Sequence, residues 1–320
     1  MILHILPLGI GFIMDLLIGD PHGIPHPVVA IGKLISFLER VLRRVFPKEK
    51  NSEIAAGAVL WGITAVISAG IPWLIMRLCG QVHPWLRVAV ESIMVWQILA
   101  VRDLRVETMK VFEALKREDL PAARHAVSMI VGRDTDRLDE PGVIRAAVET
   151  VAENTADGII APMLFLALGG APAGFFYKAV NTMDSMLGYI DPPYTWFGRV
   201  PAKMDDIANF IPARLSAILM LIAGWVQKLD VKNGLKIFMR DRYKHASPNS
   251  AQTESVCAGL LNVRLAGDAW YRGILHKKQY IGDPIREIER EDIPRICRLM
   301  YGTSFLMLLL SCLIRMLIYS

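Results

Sequence analysis

Residues 54–76 read IAAGAVLWGITAVISAGIPWLIM and carry no charge. As a helix rising 1.5 Å per residue this run covers about 34 Å, more than the roughly 30 Å hydrocarbon core of a bilayer. A membrane-spanning helix is the reading it imposes. Five more apolar runs lie around it: 1–19, interrupted by Asp15; 88–101, interrupted by Glu91; 158–177, uncharged but broken by GGAPAG; 210–227, with one Arg; and 299–314. The 320 residues are 53% hydrophobic and 21% charged, with mean hydropathy +0.36. That balance excludes a disordered chain, a collagen and a nucleic-acid-binding tail. The first run lacks a basic leader and a small-residue cleavage site, so it reads as a retained membrane segment. Four scattered cysteines form no CxxC pair and read as apolar fillers.

No alternating pattern of useful length and no internal repeat is present. The predicted fold is therefore an all-α, polytopic membrane bundle of four to six spans, forming one membrane-embedded domain over 1–320. Positive charge orients it. Lys and Arg gather in 33–53, 102–157 and 228–298, which places these three stretches in the cytoplasm. The stretch 178–209 then lies outside if both flanking runs span, and inside if neither does. The GGAPAG break favours a re-entrant segment at 158–177, tolerated where protein satisfies the freed backbone groups.

The densest chemical signal is 139–158, DEPGVIRAAVETVAENTADG. Asp139 and Pro141 suit a helix start and Gly158 a stop. Glu149, Glu153 and Asp157 recur every fourth residue, with Asn154 beside them. Like charges at that spacing repel along a helix face. A Mg²⁺ ion bound through one or two carboxylates and substrate phosphates would relieve them; a solvated face partly paired through Arg145 would look the same. Upstream, the turn Gly132-Arg133-Asp134-Thr135 can set a guanidinium against phosphate.

Lys178, Asn181 and Ser185 share a helical face in 178–189, with Asp184 adjacent, a set that can cradle a phosphate and its metal. Arg199, Lys203, Asp205, Asp206, Asn209 and Arg214 follow in 198–214, either a metal–phosphate cluster or capping groups before a membrane helix. Near the start, Asp15-Leu-Leu-Ile-Gly-Asp20-Pro is followed by the rigid turn Pro25-His26-Pro27. His245, Ser247, Asn249 and Glu254 belong to a segment where Ser-Pro-Asn can open a helix towards an anion. No P-loop, GxGxxG, HExxH or GxSxG is present, which removes the common NTPase, dehydrogenase, zinc-protease and hydrolase readings.

The series VGRDT, VIRAAVETVAENTADGIIAP, YKAVNTMDSMLGY, KMDDIANFIPAR and SPNS, with DLLIGDP and PHP before it, resembles the adenosylcobinamide-phosphate synthase family (the CbiB/CobD cobalamin-biosynthesis proteins) from about Asp15 to Gly267. Ala251, Thr253 and the Lys203-Met204 pair depart from the family pattern. The resemblance implies a multi-pass enzyme of the cell membrane. It would join adenosylcobyric acid to (R)-1-amino-2-propanol phosphate, or a similar amino-alcohol phosphate, with ATP and Mg²⁺, and would stand alone or in complex with other pathway enzymes.

On that reading Glu149, Glu153, Asp157, Asp184, Asp205 and Asp206 are the metal and general-base candidates, with Mg²⁺ on Glu149, Glu153, Asp157 and Asp205. Arg133, Lys178, Arg199, Lys203 and Arg214 would take phosphates. Asn154, Asn181, Asn209, Ser247, Asn249, His26 and Asp20 would orient substrates. A Mg-dependent membrane phospho- or prenyl-transferase, a corrinoid or cation transporter, and a non-catalytic scaffold are the rival readings.

Overall fold

Short capping signals set where the helices begin. His26 accepts the Val28 N–H through Nδ1 at 3.3 Å, and Pro27 opens α2 (Pro27–Val45). His83 does the same for Trp85 at 3.3 Å before Pro84 and α4 (Pro84–Ile98). Asp139 caps Gly142 at 2.8 Å ahead of α7 (Glu140–Asn154), the start predicted from Asp139 and Pro141. In each case a side chain satisfies an N–H that the first turn leaves orphaned, and proline fills a position with no donor to lose.

The computed structural model describes residues 2–320 except 22, 24 and 190. The remaining helices are α1 (Ile2–Ile18), α3 (Lys50–Val82), α5 (Val101–Lys116), α6 (Leu120–Ser128), α8 (Ala161–Leu187), α9 (Arg199–Val226), α10 (Val231–Asp241), α11 (Ser250–Leu261) and α12 (Asp292–Ile318). Five stretches are long and apolar enough to cross a membrane: Lys50–Val82, Pro84–Lys116, Glu140–Leu187, Arg199–Val226 and Asp292–Ile318, with the shorter apolar helix Ile2–Ile18 beside them. The chain is thus a polytopic helical membrane protein.

It divides into two units. The first holds Met1–Ala100, Ala161–Asn209 and Leu308–Ser320; the second holds Val101–Ile160 and Phe210–Met307. In the first, α3 packs on α8, α4 and α2, while α1 lies along α4. In the second, α7 packs on α5, α6 and α11, and α10 lies against α11. Gly234 and Gly259 let those two backbones touch: a Cβ on Gly259 would stand 2.6 Å from the Gly234 Cα.

Three local expectations change. The helix does not stop at Gly158; a π-helical turn, Thr155–Ile160, follows α7 directly and is continued by α8. The 88–101 run breaks between Ile98 and Val101. Four short strands, Leu265–Ala266 (β1), Ala269–Tyr271 (β2), Ile274–His276 (β3) and Tyr280–Ile281 (β4), form two antiparallel ribbons, β1 with β4 and β2 with β3. Two or three residues per strand are too few to leave a period-2 signal.

The GGAPAG break is a single residue. Gly170 sits at φ 68°, ψ −161°, a region closed to side-chain-bearing residues, and interrupts α8 ahead of Pro172.

Candidate functional site

Each unit carries its own cluster of the residues singled out in the sequence. In the second unit, α7 presents Glu149 and Glu153, one turn apart, to a cavity of about 160 Å³. Arg133, His245, Glu254, Ala266, Gly267, Tyr271 and Lys278 complete its lining. The Gly-Arg turn, not Arg145, supplies the partner of the acidic column: Arg133 pairs with Glu149. The same carboxylate accepts the Ala266 N–H from β1. Glu153 accepts from the Ser250 hydroxyl at 2.8 Å.

Asp134 explains the rest of that turn. Its N–H donates to the Trp270 carbonyl at 2.8 Å, and its carboxylate accepts the Arg272 and Gly273 N–H groups at 3.1 and 2.7 Å. These bonds pin the β2–β3 hairpin, and with it Tyr271, to the turn that carries Arg133.

Glu254 reaches the cavity from α11, a helix buried along its whole length. It is 5% exposed, and its Oε2 has no hydrogen-bond partner among the described residues. Burial, reinforced by the charges of Glu153 and Glu149, holds its carboxyl well above the usual carboxylate range. Burial lowers the His245 imidazole pKa; Glu153 and Glu149 oppose that shift. Lys278 donates to the Tyr271 hydroxyl at 2.7 Å and lies 4.8 Å from its ring centre, with no carboxylate in ion-pair range among the described residues.

The other second-unit candidates build the frame. Asn154 bonds back to the Thr150 carbonyl at 2.9 Å. The π turn shifts Asp157 off the α7 column, because its wider turn breaks the four-residue register, and Asp157 is not part of the cavity lining. Ser247 donates its N–H to His245 Nδ1 at 3.1 Å and accepts the Asn249 N–H at 3.3 Å, shaping the entry to α11. Arg214 donates to Asn249 at 3.3 Å and lies over the Phe210 ring.

In the first unit, α8 and α9 join through a polar network. Asp205 accepts from Asn181 at 3.4 Å and from Asn209 at 3.0 Å, and Asn209 accepts from the Tyr177 hydroxyl at 2.7 Å. Asp184 and Asp206 are half-buried on the same helices, while Arg199 and Lys203 are exposed. Asp20 lies 3.5 Å from His26, and both line a cavity of about 650 Å³ with Lys33, Trp96 and Gln97. Lys178 is half-buried on α8.

The site residues that sequence reasoning left out are Tyr271 and Lys278, together with the cavity-lining roles of His245 and Glu254. Glu254 had a usable signal, a lone carboxylate within the otherwise uncharged run SAQTESVCAGLL. Tyr271 and Lys278 had none, since only tertiary contacts bring them in. Among the described residues no three His, Cys, Asp or Glu side chains form a ready metal cage. The oxygen-rich donors still suit Mg²⁺, which takes one or two carboxylates and completes its shell with phosphate and water. Glu149 is already neutralised by Arg133, so Asp205, beside Asp206, is the better placed donor.

A model of the CobD/Cbib protein family matches residues 8–300. The Cobalamin biosynthesis protein CobD of Clostridium perfringens is 45% identical over 306 residues, covering 96% of each chain. That of Geobacter metallireducens is 48% identical over 300 residues, 93% of each. The Cobalamin biosynthesis protein CbiB of Salmonella typhimurium is 46% identical over 301 residues, 94% of each. No solved structure matches.

Proposed function

We propose that this chain, which belongs to the CobD/Cbib protein family, makes the amide bond between adenosylcobyric acid and (R)-1-amino-2-propanol phosphate, or a close amino-alcohol phosphate, giving adenosylcobinamide phosphate at the expense of ATP. It is a multi-pass membrane protein of cobalamin biosynthesis. The reading places it in the cell membrane with its clusters open to cytoplasmic substrates.

The observation that carries the reading is the pair of cation-and-carboxylate clusters built from the family-like motifs. Amide formation from a carboxylate needs a leaving group better than oxide. Transfer of the ATP γ-phosphoryl to the corrinoid carboxylate supplies one. The amine nitrogen then attacks the carbonyl carbon, the C–N bond forms, the C–O bond to phosphate breaks, and inorganic phosphate leaves. The amine proton goes to a carboxylate of the site. Mg²⁺, when bound, neutralises charge on the transferring phosphoryl. In this scheme the first unit's Asp205, with Asp184 and Asp206, would hold the nucleotide's ion, Lys178, Arg199 and Lys203 would meet its phosphates, and Asn181 and Asn209 fix the Asp205 carboxylate.

The test is purified protein with adenosylcobyric acid, aminopropanol phosphate, ATP and Mg²⁺, followed by mass, with Glu153→Gln as control. An amide-linked corrinoid, lost in the control, supports the reading. A lipid-soluble product, or substrate movement without chemistry, replaces it with the transferase or transporter.

A further inference from the structure

Two unmatched ionisable groups line the second-unit cavity. Glu254 is a buried carboxyl group without a cation in contact: it makes no ion pair and no hydrogen bond through Oε2 among the described residues. Lys278 is a cation with no carboxylate in ion-pair range among the described residues, held by the Tyr271 hydroxyl and ring. Yet the two are not paired with one another. Glu149 and Arg133, by contrast, satisfy each other. A buried carboxylate lacking a partner destabilises the fold unless a ligand supplies one. Its retention beside an unpaired lysine describes a ligand with an ammonium at one end and an anion at the other.

Size narrows the class. About 160 Å³ lies below the roughly 300–1,000 Å³ of pockets for drug-sized ligands. A corrin or a whole nucleotide does not fit, whereas a short amino-alcohol phosphate does. A bare divalent cation is disfavoured, since Arg133 and Lys278 share the lining and no three donors among the described residues form a cage.

We propose that this cavity binds a small zwitterion carrying an ammonium and a phosphate, with Glu254 receiving the ammonium and Lys278, beside His245, receiving the phosphate. On the reading above, on which this assignment rests for the ligand's name, that molecule is the amino-alcohol phosphate. Glu254 is then the residue that selects an amine over a hydroxyl, and Lys278 the one that selects a phosphate ester over the free alcohol.

Calorimetric binding tests it without turnover. The probes are aminopropanol phosphate, propanediol phosphate (amine replaced by hydroxyl) and aminopropanol. Wild type should prefer the first over each of the others by tenfold or more. Glu254→Gln, nearly isosteric, should bind the first two equally. Lys278→Met should abolish the preference over aminopropanol and keep the preference for the amine. If Glu254→Gln keeps the amine preference, or Lys278→Met keeps the phosphate preference, the assignment is overturned. Lys278 lies on the polar arm, so its variant tests the proposal even where the Glu254 variant fails to fold. If wild type forms the amide product but both variants retain wild-type selectivity, this inference fails and the ligase reading stands. If wild type binds the zwitterion but makes no product, the ligase reading fails and the subsite stands.

Discussion

Arg315 and Glu91 together close the broken helix α8. The Arg315 guanidinium donates to the Leu166 carbonyl at 2.6 Å, and Glu91 accepts the Ala171 N–H, on either side of Gly170. The two side chains lie 3.5 Å apart and are 1% and 2% exposed. The break frees a carbonyl at the end of one half-helix and an N–H at the start of the next. A cation and an anion meet those ends in the order the helix dipoles favour. Backbone breaks within a membrane survive only where protein satisfies them.

Removing one partner should therefore be severe. Arg315→Met leaves the Leu166 carbonyl buried and unmet and takes from Glu91 its buried cation, with only the half-exposed Arg87 left at 3.8 Å, a loss of about 3–5 kcal/mol. The Glu91→Gln, Arg315→Met double variant should lose less than the sum of the singles. Thermal unfolding in detergent reads this; additive losses contradict the coupling.

Gly170 permits no side chain. A Cβ there would stand 2.7 Å from Glu91 Oε1 and 3.0 Å from Arg315 Nη2, at a φ that disfavours one in any case. Gly170→Ala should lower the unfolding midpoint by several degrees, and Gly70→Ala, where a Cβ meets nothing within 4 Å, by less. Equal effects would mean that the strain lies elsewhere.

Asp134 holds the hairpin by two accepted bonds. Asp134→Ala removes about 1 kcal/mol for each, too little to unfold the chain. It should free the hairpin. Trypsin should then cut at Arg272 or Lys277 several-fold faster, and the KM for the amino-alcohol phosphate should rise more than kcat falls. Unchanged proteolysis would refute the pinning.

Acid should weaken the second unit through Asp241. Burial alone would raise its carboxyl, but bonds from Arg240 and Lys244 and the Gly282 N–H outweigh it and hold the pKa at about 2, against an ordinary 3.8. A depressed pKa means stability that is full above about 4 and lost as pH falls through about 2. Asp241→Asn should be less stable at neutral pH and show a flatter loss between those values, followed by circular dichroism. An acid limb identical to wild type would rule Asp241 out as its source.

The membrane fold was legible because charge-free runs such as 54–76 have one stable solution in lipid. The acidic helix and its Asp139 cap were legible for the same local reason. The break at GGAPAG could be seen, but not its closure, since Glu91 and Arg315 are distant in sequence and each looks like a blemish in an apolar run. The Glu149, Glu153, Asp157 column was drawn with α-helical spacing, and the π turn moves its last member. Glu254 stood out as a lone carboxylate in an uncharged run, but its place in the cavity, like that of Lys278, comes only from the packing of α11 and the hairpin arm.

The central claim is amide formation through a phosphorylated carboxylate. The most direct measurement supplies adenosylcobyric acid labelled with ¹⁸O in its reacting carboxyl, together with ATP, Mg²⁺ and aminopropanol phosphate, and weighs both products. The account predicts an amide-linked corrinoid and one ¹⁸O atom in the inorganic phosphate released. An amide formed with unlabelled phosphate, or no amide from folded protein, would contradict it.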